Sequence, residues 1–141
     1  IQWDLVLKHI ENKQGKTQEE LKNDSTTWGN YSNATFEITK GKYSTDYGQT
    51  FTEVNGTYTR PSSSNVLLTT GTTQRNSVLN IYDLAGNEYE WTLEKSTLTG
   101  YPSVSRGGRY NYGGSNYPAS SRGNYATSGS SSVISFRPAL W

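Results

Sequence analysis

The chain has no cysteine and no methionine. The absence of cysteine removes disulfides, thiolate nucleophiles and Cys-type zinc sites together. Histidine is represented by His9 alone. A Ser-His-Asp triad has to be built on that one residue, and a His-rich metal site cannot be built. Neither sign of charge dominates, with 13 Lys and Arg against 12 Asp and Glu. That balance lacks the basic footprint of a nucleic-acid binder and the acidic run of a solvating tail. Apolar residues are scarce at 31%, and no stretch of 18 of them occurs, so no membrane-spanning helix is expected. No signal-peptide pattern is found either. With no Met at its start or elsewhere, the chain is expected to be a processed piece of a longer protein.

What is present is aromatic, small and polar. Eleven Tyr, four Trp and fourteen Gly stand among many Ser, Thr and Asn. Such polarity can signal disorder, but 13% aromatic residues supply surface to bury. A length of 141 residues fits one domain over 1–141, rich in loops. Trp3, Leu7 and Ile10 recur at i, i+4 and i+7 with Val6 beside them, which predicts a helix over 2–12. Thr17 and Glu20 fit a capping box that opens a short second helix through Asn23. The alternation over Thr35 to Thr39 predicts a strand, as does the apolar run Val66-Leu67-Leu68. Residues 60–66 read as a loop, Ala85-Gly86-Asn87 as a turn, and Tyr89 to Leu93 as a strand. His9, beside a helical apolar face, is not expected to be a ligand or a catalyst.

The chain then changes character. Between Arg106 and Ser132, 20 of 27 residues are Gly, Asn, Ser or Tyr. An ordinary apolar pattern resumes around Ile134, Phe136 and Leu140. A disordered tail would not end on such a segment, so the low-complexity stretch is expected to be held between two anchors, Trp91 and Phe136, both read as core. Tyr110, following Arg-Gly-Gly, is the tyrosine most expected to pack inward, at the start of a strand.

Three blocks in order carry a family resemblance: residues 80–92 (NIYDLAGNEYEWT), Arg106-Gly107-Gly108, and Ser135-Phe136-Arg137-Pro138-Ala139-Leu140. They resemble the motifs of the formylglycine-generating-enzyme (sulfatase-modifying-factor) family, with Glu88 at a usually apolar position. The resemblance implies an α+β, C-type-lectin-like fold: two N-terminal helices, a small twisted antiparallel sheet and long irregular loops. The enzymes of that family use a pair of cysteines, which this chain lacks. The resemblance therefore points to the non-enzymatic branch, the variable proteins of diversity-generating retroelements. In these a C-terminal segment is rewritten at adenines, mostly in Asn codons. Randomising both adenines of such a codon yields every amino acid except Lys, Glu, Gln, Met and Trp. Residues 107–135 contain none of those five, whereas the other 112 residues contain 24 of them.

Tyr with Ser, Gly and Asn is also the composition of an antibody paratope, because Tyr offers a large amphipathic area at low entropic cost. The expected ligand-binding segment spans about 106–133. Its aromatic anchors are Tyr110, Tyr112, Tyr117 and Tyr125. Its polar and small contacts are Arg109, Asn111, Gly113, Asn116, Ser121, Gly123, Asn124, Ala126, Ser128, Gly129 and Ser131. Arg106 and Arg137 are expected to be paired, since a buried guanidinium needs a partner. Asp83, Asn87 and Glu90 are oxygen-bearing candidates for calcium, with turn stabilisation the preferred reading because their spacing matches no defined loop. The Asn-x-Ser/Thr sequons at Asn23, Asn30, Asn33 and Asn55 are expected from composition alone.

The expectation is thus a binding module without catalytic residues, metal or cofactor. Its partner would be a surface protein or glycan of another cell, with no nucleic acid and no membrane insertion. An oligomer is compatible with this, and the setting would be a phage virion or a bacterial cell surface. The alternative is a fixed-site, calcium-dependent carbohydrate-binding lectin-like domain.

Overall fold

The computed structural model describes residues 2–126, 128 and 131–138. Helix α1, Gln2–Asn12, buries Trp3, Leu7 and Ile10, the face that the apolar spacing marks. It stops where Gln14 takes a positive φ of 57° and the Gly15 N–H reaches back to the Ile10 carbonyl at 2.9 Å. Helix α2, Gln18–Lys22, opens on the capping box: Thr17 Oγ1 accepts from the Glu20 N–H, and Glu20 Oε2 accepts from the Thr17 N–H at 2.9 Å. Leu21 is its buried residue.

Short strands follow. β1 (Phe36–Ile38) pairs antiparallel with β4 (Tyr58–Arg60). β2 (Lys42–Ser44) lies between β3 (Thr52–Glu53) and β5 (Leu67–Leu68). After a 3-10 turn at Gln74–Asn76, β6 (Ser77–Val78) and β7 (Ile81–Tyr82) form a hairpin. Its two loop residues, Leu79 and Asn80, both have positive φ, the requirement of a two-residue turn that matches strand twist. The largest sheet has the order β10-β9-β8-β11, with β8 at Tyr89–Lys95, β9 at Ser103–Arg106, β10 at Arg122–Tyr125 and β11 at Ile134–Phe136. β9 runs antiparallel to both β8 and β10, while β11 joins β8 in parallel. The architecture is α+β: small, mostly antiparallel sheets with few helices.

One main core joins α1 and α2 to Trp28, Tyr31, Ile38, Leu68 and Leu84. Each such side chain contributes about 1.5–3 kcal/mol by leaving water. Inside it sits Arg60, 0% exposed. Its guanidinium is satisfied without a carboxylate, donating to Asn30 Oδ1 at 2.8 Å and to the carbonyls of Ala34 (2.6 Å), Pro61 (2.8 Å), Ser64 (3.1 Å) and Tyr110 (3.3 Å). Burial lowers its pKa to about 10. A second, smaller cluster joins Leu67, Tyr110 and Val133.

Several expectations need correction. Arg60 belongs to a strand, although its stretch reads as a loop. Two strands, β9 and β10, lie wholly or partly in the low-complexity stretch. Tyr110 starts no strand; it sits in a turn. Phe136 is not core: it is 75% exposed, because β11 is an edge strand and no described element covers it. Trp91, its register partner, is half-buried. Leu140, Ala139 and the rest of the chain end lie outside the described residues.

Candidate functional site

The candidate surface is built on one face of the large sheet. Tyr89 and Trp91 are two apart on β8 and so point to the same side. Across the sheet, Trp91 is in register with Ser105, and Ser105 with Gly123. Tyr125, two residues past Gly123, shares that face. Its ring lies back over Gly123 and meets the Trp91 ring edge-on, with centroids 5.7 Å apart at 83°. The same ring is 6.2 Å from Tyr89.

Loop residues extend the surface. Tyr117 stands edge-on to Tyr89 at 6.4 Å and stacks on Tyr112 at 4.5 Å and 19°. The Arg109 guanidinium lies 4.0 Å over the Tyr112 ring and 5.7 Å from the Tyr89 ring. The contacts therefore run unbroken from Trp91 through Tyr125, Tyr89 and Tyr117 to Tyr112 and Arg109. Tyr89 is the buried floor at 3% exposure, while Tyr112 (36%) and Tyr117 (38%) are open to solvent. Burial raises the pKa of both Tyr89 and Tyr125, so these phenols stay protonated and neutral. The surface can stack, donate hydrogen bonds and meet an anion.

The loop that presents these rings is fixed by its backbone. Tyr110 N–H donates to the Asn87 carbonyl (2.8 Å), Ser32 N–H to the Tyr112 carbonyl (2.9 Å), and Ser120 N–H to the Leu21 carbonyl (3.0 Å). Gly114 N–H donates to Asn33 Oδ1 at 3.1 Å, and the Trp3 indole donates to the Ala119 carbonyl at 2.8 Å. Gly108, at φ 76°, has no room for a side chain, since a Cβ would fall 2.2 Å from the Tyr117 carbonyl oxygen.

Of the sequence-derived contacts, Arg109, Tyr112, Tyr117 and Tyr125 come together. Gly123 contributes space for the Tyr125 ring: a Cβ there would lie 2.8 Å from Tyr125 Cε2. Tyr110 is withdrawn from the list of contacts. It is 0% exposed, drawn in because its backbone is clamped by Asn87 and Arg60 over Leu67 and Val133. Asn124 is also removed from this face, because strand alternation turns it to the opposite side, where its Oδ1 accepts from Arg122 Nη1 at 3.0 Å. Asn111 and Gly113 are half-buried in the loop, Asn116 is exposed at its tip, and Ser121 is half-buried at its exit. Ala126, Ser128 and Ser131 follow β10; Ala126 is half-buried and the two serines are exposed. Gly129 lies outside the described residues. Sequence reasoning missed Tyr89 and Trp91 as parts of this surface. Their Tyr-x-Trp spacing on a strand was the available signal.

The other charged residues singled out in the sequence are engaged elsewhere. Arg106 pairs with Asp4 and stands 3.8 Å from Glu94, Arg122 pairs with Glu94 at 2.6 Å, and Arg137 pairs with Glu90. A cleft of about 220 Å³ lies beside Asp83, Glu88, Glu90 and Arg137. Burial raises the pKa of all three carboxyls, that of Asp83 to about 6. Asp83 Oδ2 accepts from the Gly71 N–H at 3.1 Å, and Asn87 bridges both backbone groups of Leu68. These are turn- and strand-holding roles. Among the described residues, no group of three or more His, Asp or Glu side chains is placed to hold a metal. His9 is exposed in the last turn of α1. No helix of the described residues is long and apolar enough to cross a membrane. Comparison of the chain with family models, curated proteins and solved structures gives no match.

Proposed function

We propose that the chain is a non-enzymatic ligand-binding module that displays a retroelement-diversified surface on a C-type-lectin-like scaffold. The carrying observation is the stacked, solvent-open pair Tyr112–Tyr117, continuous with Arg109 and Tyr125. All four lie within the stretch free of Lys, Glu, Gln, Met and Trp. Their loop is tied to the scaffold largely by main-chain groups, which persist whatever side chain a rewritten codon supplies. A fixed backbone carrying exchangeable side chains is the property a diversified binder needs. Tyr and Arg are also the residues that dominate binding energy at interfaces. The ligand in this reading is a protein or glycan on the surface of another cell, bound without a cofactor, from a position on a phage virion or a bacterial surface.

Binding of the full chain to a panel of bacterial cell surfaces tests this, with Tyr112→Ala and Tyr117→Ala compared against Leu5→Ala, an exposed apolar residue on α1. The tyrosine variants should lose roughly tenfold or more in affinity, and the α1 variant should bind normally. Equal binding by all three would remove the surface from consideration.

A further inference from the structure

Of the six arginines, Arg109 alone has a side chain that donates no hydrogen bond and meets no carboxylate among the described residues. Arg60 and Arg75 donate to carbonyls and amide oxygens, and Arg106, Arg122 and Arg137 are paired with carboxylates. The Nε of Arg109 is buried without a partner, an uncompensated cost in the free protein. The guanidinium is nevertheless held in place, over Tyr112 and beside Tyr89. A planar fork of donors fixed between rings is preorganised for a carboxylate.

The wider charge distribution points the same way. Residues 95–141 contain five basic side chains and no acidic one, whereas residues 1–94 hold eight basic against twelve acidic. Three of those five basic groups are neutralised by Glu90, Glu94 and Asp4. Lys95 and Arg109 remain, and the charge of Arg109 lies against the rings of Tyr112 and Tyr89. The surface itself is built of standing rings, and the cleft beside Asp83 is lined by other residues. A broad aromatic face with one embedded cation suits a protein surface, whose contacts centre on Tyr and Arg with a polar rim.

We propose, building on the binding-module reading, that the partner is a protein whose epitope carries an Asp or Glu side chain that seats on Arg109, with apolar or aromatic neighbours packing on Tyr112 and Tyr117. Arg109 is then the specificity-determining residue of the surface, and the tyrosines supply area.

Selection of a random peptide library displayed on ribosomes against the full chain tests this, with every selected peptide re-measured on Arg109→Gln, Arg109→Lys and Tyr117→Ala. The Arg109 side chain makes no hydrogen bond among the described residues, so its variants should fold; circular dichroism and the melting temperature check this. The expected result is enrichment of Asp or Glu at a fixed position of the peptides. Their affinity should fall about tenfold or more on Arg109→Gln, the scale of one charge-assisted contact. Arg109→Lys should restore it only in part, and replacing the enriched Asp or Glu with Asn or Gln should reproduce the loss. Peptides that depend on Tyr117 but bind Arg109→Gln as tightly would overturn the anion anchor and leave the binding surface standing. Absence of any Tyr117-dependent peptide, or binding confined to sulfated or sialylated glycans, would overturn the protein epitope.

Discussion

Gly123 is vacant where the ring of Tyr125 passes: a Cβ at Gly123 would stand 2.8 Å from Tyr125 Cε2 and 3.0 Å from Ser105 Oγ. The smallest residue on β10 thus sets the position of the largest. Gly123→Ala should push the Tyr125 ring off Trp91 while leaving the strand paired. Nuclear Overhauser contacts between the Trp91 indole and the Tyr125 ring should disappear, with a stability change of about 1 kcal/mol or less. Retention of those contacts would show that the glycine plays no part in placing the ring.

Arg60 links the scaffold to the loop, since the same guanidinium serves Asn30, Ala34 and the Tyr110 carbonyl. Arg60→Met removes the charge and leaves those buried acceptors without donors. The loss should be about 3 kcal/mol or more in urea denaturation. A loss under about 1 kcal/mol would mean that the network does not hold the loop.

The Tyr110 hydroxyl is buried with no hydrogen-bond partner among the described residues. Tyr110→Phe removes a polar group from an apolar site and should be neutral or stabilising by about 1 kcal/mol. Tyr110→Ala leaves a cavity beside Leu67 and should cost about 3–5 kcal/mol. Thermal denaturation of the two variants separates them, and similar losses in both would contradict the packing described.

The buried Asp83 carboxyl has its pKa raised to about 6 from 3.8. The folded chain therefore binds a proton more tightly there than the unfolded chain. Its contribution is most favourable below pH 4 and is lost as pH rises through about 6. Asp83→Asn cannot ionise, keeps an acceptor for the Gly71 N–H, and suits the positive φ of 54°. It should stabilise the protein at pH 7.5 by up to about 3 kcal/mol and leave it nearly unchanged at pH 4. An equal effect at both pH values in urea titrations would contradict the assignment.

Sequence made the helices and one apolar strand readable and left the aromatic face of the large sheet obscure. Trp3, Leu7 and Ile10 mark α1 because a buried helix face needs that period. Leu67 and Leu68 stand out as an apolar run in a polar chain. The strands β9 and β10 do not, because Ser105 and Gly123 are small to make room for Tyr125, and that erases the alternation by which a strand is recognised. Phe136 misleads for a related reason, as an aromatic on an edge strand is indistinguishable in sequence from one in the core. Tyr89 and Trp91 read as scaffold, and only the register of β8 with β9 and β10 places them under Tyr117 and Tyr125.

The most direct measurement is deep sequencing of the codons for residues 100–141, with the neighbouring DNA, in a population carrying this gene. Substitutions should concentrate at adenines of a nearby near-identical repeat, falling on codons such as those of Arg109, Tyr112, Tyr117 and Tyr125. The codons of Tyr89, Trp91 and Arg60 should stay unchanged. A uniform sequence with no repeat and no reverse transcriptase nearby would contradict diversification and leave a fixed binding face.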